Sequence, residues 1–298
     1  MDINVAYAID VQGQGAGQFV DQLLCSVYSV RRHMREEDSI TCYVAYGNMP
    51  VDLMRKLVAL QTDRFRFEFF NIPQPDMNYM QQFTRHNPAS QARPWCGIVY
   101  ARLFLPKFFP ALDRVLYLDS DTMIVGSLHE LYSIDLGDKL FGMNMGVVPE
   151  YGFNSGVMLM DLRKMREDET LYPKLDGFMR TFSASFFLPD QTTINRFFAD
   201  RILPIDRKYN FPPTPGMRDP EMRNATILHF YNQHVKPMRV PQDDIGMTSV
   251  LWNNELADAE AEVASRRTEK KEEPAPEQKA PEPVETEPKP ESEGSEEG

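Results

Sequence analysis

Several features of secreted and membrane-spanning proteins are missing from this sequence. The three cysteines, Cys25, Cys42 and Cys96, are scattered, odd in number and not spaced as metal ligands, so neither a disulfide framework nor a zinc site is predicted. No segment approaches the roughly 20 apolar residues that span a bilayer. Residues 1–7 also lack the basic start of a secretory signal. We therefore expect a cytoplasmic protein.

Positive charge is also scarce. Lysine and arginine number 32 against 44 aspartates and glutamates, which gives a formal net charge of −12 over 298 residues. Nucleic acids and anionic membranes attract proteins through basic surfaces, so we expect no nucleic-acid partner and no strong membrane association. The sequence does contain 42% hydrophobic residues, which is enough for a sizeable core.

The excess of acid lies at the C-terminal end. Residues 258–298 contain 14 acidic and only 6 basic residues, no aromatic residue follows Trp252, and proline and glutamate alternate from Lys271 onward. Such a composition buries too little apolar surface to offset the entropy of ordering the chain. We predict a globular domain over residues 1–257 and a Pro/Glu-rich region over 258–298, with a short helix at Ala257–Ser265 and a disordered tail from Arg266.

Apolar runs of strand length alternate with helical spacings before that tail. The predicted strands are Ile3–Ile9, Ile40–Tyr46, Phe65–Asn71, Arg114–Leu118 and Gly156–Met160, and the predicted helices are Phe19–His33, Val51–Leu60 and Ile98–Phe108. Strand–helix–strand units of this length predict an α/β fold, with a mixed, mainly parallel sheet flanked by helices on both faces.

The sharpest candidate site follows the strand Arg114–Leu118, where Ser120 separates Asp119 from Asp121. In open α/β sheets, ligands bind beyond the carboxyl ends of the strands. Two carboxylates so close together repel each other, and a divalent cation would relieve the repulsion. The alternative is a solvated turn that caps the following segment. The apolar strand before the motif favours the metal.

The first predicted strand also ends in an acid, Asp10, and glycines follow at positions 13, 15 and 17. This spacing fits neither the dinucleotide fingerprint Gly-x-Gly-x-x-Gly nor a Walker loop, which ends in Gly-Lys-Ser/Thr. Taken alone, the segment is either a flexible loop or a backbone that a nucleotide can approach.

Several segments, taken in order, resemble glycosyltransferase family 8, whose members are retaining enzymes that use nucleotide sugars. They are Tyr100–Leu103, Val115–Asp121, Phe153–Leu162, Asp190–Asn195, Tyr209–Phe211 and His229–Pro237. The resemblance covers roughly residues 1–240. The family includes bacterial lipopolysaccharide galactosyl- and glucosyltransferases and glycogenins. It implies the GT-A fold, a Rossmann-like nucleotide-sugar-binding α/β fold, and a role in lipopolysaccharide or polysaccharide biosynthesis.

The resemblance also implies a metal site at Asp119, Asp121 and His229. Two carboxylates and one imidazole suit Mn²⁺, and suit Mg²⁺ less well because of the nitrogen ligand. From the residues alone, His229 is equally well explained as a hydrogen-bonded core histidine.

Further positions carry over from the family to the donor and to the transferred sugar. The implied donor-binding residues are Tyr7, Ala8, Asp10, Arg102, Asp119, Ser120, His234 and Lys236, and the implied catalytic residues are Asn154, Asp190 and Gln191. Asp190 would bind sugar hydroxyls. An amide such as Gln191 is a poor nucleophile, so we expect front-face attack by the acceptor, with Gln191 stabilising positive charge at the anomeric carbon. From the residues alone, Tyr7 is equally a core residue, and Arg102 is equally part of a helix-surface salt bridge.

The closing segment departs from the family pattern. Asn232 stands where the family has glycine, one extra residue precedes Lys236, and Met238 replaces a tryptophan. Asn144-Met145-Gly146 stands where relatives often present an acid to the sugar, which leaves the choice of sugar open. The expected function is Mn²⁺-dependent transfer of glucose or galactose from UDP-glucose or UDP-galactose to a glycan or glycolipid. A non-catalytic nucleotide-sugar-binding protein is the main alternative, and a nucleotide-sugar hydrolase is a weaker one.

Overall fold

A computed structural model of the chain describes residues 1–11, 16–84, 96–213, 220–231 and 247–272. The strands are β1 (Asp2–Ile9), β2 (Ser39–Tyr46), β3 (Phe65–Asn71), β4 (Arg114–Leu118), β5 (Thr122–Ile124), β6 (Phe141–Met145), β7 (Phe153–Asp161), β8 (Ile202–Pro204) and β9 (Ile227–His229). The α-helices are α1 (Ala16–Arg32), α2 (Val51–Ala59), α3 (Gln74–Gln82), α4 (Leu105–Phe108), α5 (His129–Tyr132), α6 (Leu162–Glu167), α7 (Leu171–Phe182), α8 (Pro189–Phe197) and α9 (Met247–Glu272). None of the helices within these ranges has the length and apolarity to cross a membrane.

The strands form a seven-stranded sheet in the order β3-β2-β1-β4-β7-β6-β8 and a two-stranded sheet of β5 and β9. In the larger sheet β7 runs antiparallel to both of its neighbours, and the other pairings are parallel. The predicted mixed, mainly parallel sheet is therefore confirmed.

Alternation along the central strands sends side chains to the two faces of the sheet. In β4, Leu116 and Leu118 join the cluster beneath α1, whereas Val115 and Tyr117 join the cluster beneath α4, α6 and α7. All four are almost fully buried. Each large apolar side chain contributes about 1.5–3 kcal/mol on burial, so a strand with two buried faces is held firmly at the centre of the sheet.

The predicted helix Ile98–Phe108 is split in the structure. Residues Gly97–Phe104 form a 3₁₀ helix, and α4 begins at Leu105 with Pro106 in its first turn. Proline has no N–H to donate within a helix, so it is tolerated in a first turn and disrupts a helix interior. The 3₁₀ segment packs closely on α3 because Gly97 has no side chain: a Cβ there would lie 2.6 Å from the Gln81 nitrogen.

The helix α9 differs from the expectation for the C-terminal region. It runs without interruption past residue 257 to Glu272, and Trp252, Ala259 and Val263 are buried against the domain. These positions recur at helical spacing, and the acidic residues between them include Glu255 and Asp258, which form ion pairs with Arg32 at the end of α1. A narrow apolar stripe and complementary charge thus keep residues 258–268 on the domain despite their acidic composition. The remainder of the predicted tail, from residue 273, lies outside the described residues.

Candidate active site

The Asp119–Asp121 motif lies at the carboxyl edge of the sheet, where β4 ends. The Asp119 N–H donates to the Gly156 carbonyl at 2.7 Å, and the Thr122 hydroxyl donates to the Asp119 carbonyl at 2.8 Å, so the chain turns sharply after the strand. β5 follows and pairs with β9, with Thr122 directly opposite His229. This small sheet brings a histidine from far along the chain to the two aspartates.

The three predicted metal ligands converge, with one candidate ligand atom of each lying within 4.8 Å of the others. His229 Nε2 lies 3.2 Å from Asp121 Oδ1 and 3.7 Å from Asp119 Oδ2. This nitrogen is buried and has no hydrogen-bond partner among the described residues. A buried lone pair beside two carboxylates is a costly arrangement without a cation, and this oxygen and nitrogen donor set fits Mn²⁺ or Mg²⁺.

Gly156 on β7 leaves the room that this cluster requires. A Cβ at this position would lie 2.7 Å from both Asp119 Oδ2 and His229 Nε2, and closer still to the histidine ring. Real Cβ atoms are not found at such distances. A side chain at this position would therefore displace the two candidate ligands.

Arg102 is buried at the centre of the site, which corrects the alternative that it forms a helix-surface salt bridge. Its guanidinium donates to Asp119 Oδ1 at 2.9 Å and to the Ser155 carbonyl at 2.7 Å, and its Nε lies 3.2 Å from Asp190 Oδ2. It also lies over the Tyr117 ring. Burial alone would lower the pKa of Arg102, but the charges of Asp119 and Asp190 outweigh burial and raise it. The side chain is therefore a permanent cation that links Asp119 to Asp190.

Asp190 and Gln191 begin α8 and face β7. Asp190 is only 5% exposed and accepts a hydrogen bond from the Ser155 hydroxyl at 2.9 Å. Burial raises the pKa of Asp190, and the Arg102 charge opposes this only in part. Gln191 Oε1 accepts from Asn154 Nδ2 at 3.2 Å and more weakly from the Ser155 N–H at 3.4 Å, while its Nε2 donates to the Tyr151 carbonyl at 3.1 Å. The three predicted catalytic residues thus lie in one hydrogen-bonded group.

These residues line a cleft of about 330 Å³. One wall is polar and contains Arg102, Asp119, Asn154, Asp190, Gln191 and His229. The other wall is an apolar rim, which we define as Val147, Val148, Tyr151 and Phe187, all exposed to solvent. The Tyr151 and Phe187 rings are stacked, with centroids 5.9 Å apart. A second cavity, of about 410 Å³ between α3 and α7, is mainly apolar and lies away from these groups.

The predicted donor-binding residues Tyr7, Ala8 and Asp10 are not among the residues that line this cleft. Tyr7 is a core residue rather than a ligand contact, because it is 1% exposed and its hydroxyl is hydrogen-bonded to Ser26 at 3.0 Å. Ala8 is partly buried against the cluster beneath α4. Asp10 Oδ1 accepts from the backbone and side chain of Asn48, and Oδ2 accepts from the Cys96 thiol at 3.0 Å. Burial and this hydrogen bond raise the pKa of Cys96 to about 11, so the thiol stays protonated as a donor.

Of the three remaining predicted donor-binding residues, the structure describes only Ser120. Ser120 is partly exposed beside Asp119, and its hydroxyl lies 3.4 Å from Gln22 Oε1. His234 and Lys236 lie outside the described residues.

Sequence reasoning assigned no role to two further residues of the site. Asn210 is buried and its Oδ1 lies 2.9 Å from His229 Nδ1. The Tyr117 hydroxyl donates to Asp119 Oδ1 at 2.9 Å. Neither residue has a spacing or charge pattern that reveals its contact. Their presence within segments that resemble the family was the only available signal.

Comparison with known proteins gives a consistent result. The sequence profile of glycosyl transferase family 8 matches residues 11–239. A lipopolysaccharide 1,2-glucosyltransferase of Escherichia coli K12 is 25% identical over 264 residues, which cover 79% of this chain and 72% of that protein. The glycosyltransferase GlyE of Streptococcus pneumoniae is 34% identical over 119 residues, which cover 38% of this chain and 28% of GlyE. The matched regions likewise cover only 29% of GlyF from the same organism and 39% of a putative glycosyltransferase of Haemophilus influenzae.

Solved structures share the architecture. The galactosyltransferase LgtC, in complex with donor and acceptor sugar analogues, has a TM-score of 0.67 at 20% identity, covering 86% of this chain and 96% of LgtC. The crystal structure of GlyE has a TM-score of 0.66 at 22% identity, covering 91% of this chain and 64% of GlyE. These likenesses establish the fold, which is of the GT-A type.

Proposed function

This chain belongs to glycosyl transferase family 8, and from that membership we propose that it transfers glucose or galactose from a UDP-sugar to a glycan or glycolipid, with retention of anomeric configuration. The observation that carries the proposal is the meeting of two carboxylates and an imidazole in a cleft that also contains Asp190 and Gln191. The named function of the Escherichia coli relative supports a role in lipopolysaccharide or polysaccharide biosynthesis. The three free cysteines support a cytoplasmic location.

Asp119, Asp121 and His229 would hold Mn²⁺, with Mg²⁺ as the second choice because of the nitrogen ligand. When bound, the ion supplies charge neutralisation for the diphosphate and for the UDP leaving group. Arg102 fixes one oxygen of Asp119 and one of Asp190, and it adds a permanent positive charge to the donor side of the cleft. Arg102 therefore holds Asp119 and Asp190 in fixed positions relative to each other.

Asp190 and Gln191 act on the transferred sugar. Asp190 would bind donor hydroxyls through Oδ1, because Ser155 and Arg102 both contact Oδ2. Gln191 is an amide whose carbonyl already accepts hydrogen bonds from Asn154 and Ser155, so it is a poor nucleophile. We therefore favour front-face attack, in which the acceptor oxygen bonds to the anomeric carbon as the bond to the UDP oxygen breaks and the departing diphosphate oxygen takes the proton of the acceptor hydroxyl. The Gln191 carbonyl dipole would stabilise positive charge at the anomeric carbon.

The apolar rim provides a surface for the acceptor. Phe187 is 57% exposed and stacks on Tyr151, which is 45% exposed, so two aromatic rings border the catalytic cleft. Sugar rings present apolar C–H faces that pack on aromatic side chains, whereas exposed phenylalanine in water is unfavourable. We propose that the acceptor glycan packs on this rim while its attacking hydroxyl points toward Gln191.

Turnover with purified sugar nucleotides tests this function. Release of UDP from UDP-glucose and UDP-galactose is measured with Mn²⁺, with Mg²⁺ and with a chelator, and NMR of the product determines its anomeric configuration. Asp121→Asn should lower the rate by about 100-fold or more, because the metal is worth several kcal/mol in the transition state. Asp138→Asn, at an 83% exposed carboxylate, is the matched control and should have no effect.

The outcomes separate the candidate functions. Metal-dependent UDP binding with no turnover on a glycan panel would replace the enzyme with a non-catalytic nucleotide-sugar-binding protein. Turnover that needs no acceptor would indicate a hydrolase. An Asp121→Asn variant of normal activity would refute the metal site.

A further inference from the structure

A chain of hydrogen bonds runs from the backbone of β7 to the candidate metal ligand His229. The Gly156 N–H donates to Asn154 Oδ1 at 3.0 Å, and Asn210 Nδ2 donates to the same oxygen at 3.0 Å. Asn210 Oδ1 then lies 2.9 Å from His229 Nδ1. Asn210 and His229 are 2% and 1% exposed, so water does not compete for the contact between them.

The Gly156 N–H, at one end of this series of hydrogen bonds, fixes which atom donates in each of them. A backbone N–H can only donate, so the Asn154 atom that faces Gly156 must be the carbonyl oxygen. The Asn210 atom that faces the same oxygen must then be the amide nitrogen, which leaves the Asn210 carbonyl facing His229. Nδ1 of a neutral His229 must therefore carry the ring proton, and Nε2 must carry the lone pair.

The opposite arrangement is unfavourable at each step. With the Asn210 amide reversed, two carbonyl oxygens would face each other at 3.0 Å with no proton between them. Without a carbonyl at Nδ1, the ring proton would prefer Nε2, where Asp121 Oδ1 lies 3.2 Å away and would accept it. A proton at that position would block the nitrogen as a metal ligand.

We propose that Asn154 and Asn210 form a positioning relay that sets the tautomer of His229, so that Nε2 presents its lone pair to the space beside Asp119 and Asp121. This inference rests on the metal site of the proposed function. The relay also reaches the sugar side, because Asn154 Nδ2 donates to Gln191 Oε1 at 3.2 Å. One backbone N–H thus orients both the metal-binding imidazole and the Gln191 amide, in the way that outer partners fix ligands at other metal sites.

The first test measures the tautomer without any metal. In metal-free protein labelled with ¹⁵N-histidine, long-range ¹H–¹⁵N spectra recorded at a pH where the ring is neutral report which nitrogen is protonated, and His229→Gln assigns the signal. The wild type should show the Nδ1–H form. Asn210→Leu, which removes the acceptor, should move the proton toward Nε2, and Asn210→Asp, which keeps an acceptor, should retain the Nδ1–H form.

The second test titrates Mn²⁺ alone into the same proteins, with binding followed by calorimetry and electron paramagnetic resonance. Asn210→Leu should lose about 10–100-fold in affinity, and Asn210→Asp should recover most of it. Asn4→Leu is the control, because it removes a partly buried asparagine on β1 whose side chain donates to the Arg114 carbonyl and the Tyr132 hydroxyl. Thermal unfolding verifies that each variant is folded.

Two results would overturn the relay. One is a wild-type ring protonated at Nε2, and the other is an Asn210→Leu variant with unchanged tautomer and unchanged Mn²⁺ affinity. Should Asn210→Leu not fold, the wild-type spectrum and Asn210→Asp still decide the matter. Failure of the proposed function would look different, as a wild type with the Nδ1–H tautomer that binds Mn²⁺ and turns over no sugar nucleotide.

Discussion

Gly156→Ala is a small change that should disrupt the candidate metal centre. The added Cβ would lie 2.7 Å from Asp119 Oδ2 and from His229 Nε2. Neither neighbour can move freely, because Asp119 is bound by Arg102 and Tyr117, and His229 is bound by Asn210. The strain must therefore be absorbed by shifting these groups or β7 itself.

The expected loss of stability follows from the close packing around Gly156. Adding one carbon to a closely packed interior costs about 1–3 kcal/mol. For a domain of this size each kcal/mol lowers the melting temperature by about 2–4 °C, so a fall of about 2–12 °C is expected. Because the three nearest atoms all belong to the candidate metal ligands Asp119 and His229, Mn²⁺ affinity should fall together with stability.

Gly177→Ala is the matched control for this substitution. Gly177 is exposed on α7, and a Cβ there would meet nothing within 4 Å. Replacing a helical glycine with alanine stabilises by about 0.5–1 kcal/mol, so this variant should be more stable and bind Mn²⁺ normally. Differential scanning calorimetry and Mn²⁺ titration measure both quantities. A Gly156→Ala protein with wild-type stability and Mn²⁺ affinity would refute the close packing described for this site.

Three further predictions concern the rim, α9 and one buried acid. Phe187→Ala should raise the KM for the acceptor and leave acceptor-free hydrolysis of the donor unchanged, whereas Phe182→Ala, equally an exposed phenylalanine but outside the cleft lining, should change neither. Trp252→Ala should cost about 3–5 kcal/mol in denaturant unfolding, because this 1% exposed side chain packs on Phe230 beside β9, and it should weaken Mn²⁺ binding through His229. Burial raises the pKa of Glu255 despite the Arg32 charge, so the fold is less stable with Glu255 ionised than with Glu255 neutral, and this difference is lost as the pH falls through that pKa toward the ordinary glutamate range. The stability of Glu255→Gln relative to the wild type should therefore grow as the pH rises from acid to neutral, and a pH-independent difference in melting temperature would contradict this.

Local sequence predicted the secondary structure well where the pattern was strong. The strands β3 and β4 begin and end at the predicted residues, because β4 is a buried apolar run that ends before Asp119 and the first half of β3 alternates buried and exposed side chains. Most of the predicted helix Ile98–Phe108 is a 3₁₀ helix. Periodicity alone does not distinguish an α-helix from a 3₁₀ helix that precedes Pro106. The extent of α9 was missed because the composition of the whole tail concealed its apolar stripe.

The candidate site was predictable in its residue types and only partly in its geometry. Asp119 and Asp121 follow a strand, so their place at the sheet edge is a local property of the chain. The burial of Arg102 and of Tyr7 was not predictable, because a helix or strand pattern does not reveal which side chains meet across the sheet. The resemblance to the family supplied His229 as a ligand, but not the contact with Asn210 that orients it.

Periodicity and charge, which act between near neighbours in the chain, thus determined the α/β class, the order of the strands from β1 to β4 and the acid pair at the end of β4. The tertiary structure alone decided which distant groups complete the centre: the imidazole brought in by the pairing of β9 with β5, the guanidinium between two carboxylates, and the space left by Gly156. These depend on contacts between segments far apart in sequence, whose distances are set by the packing of the whole sheet and its helices.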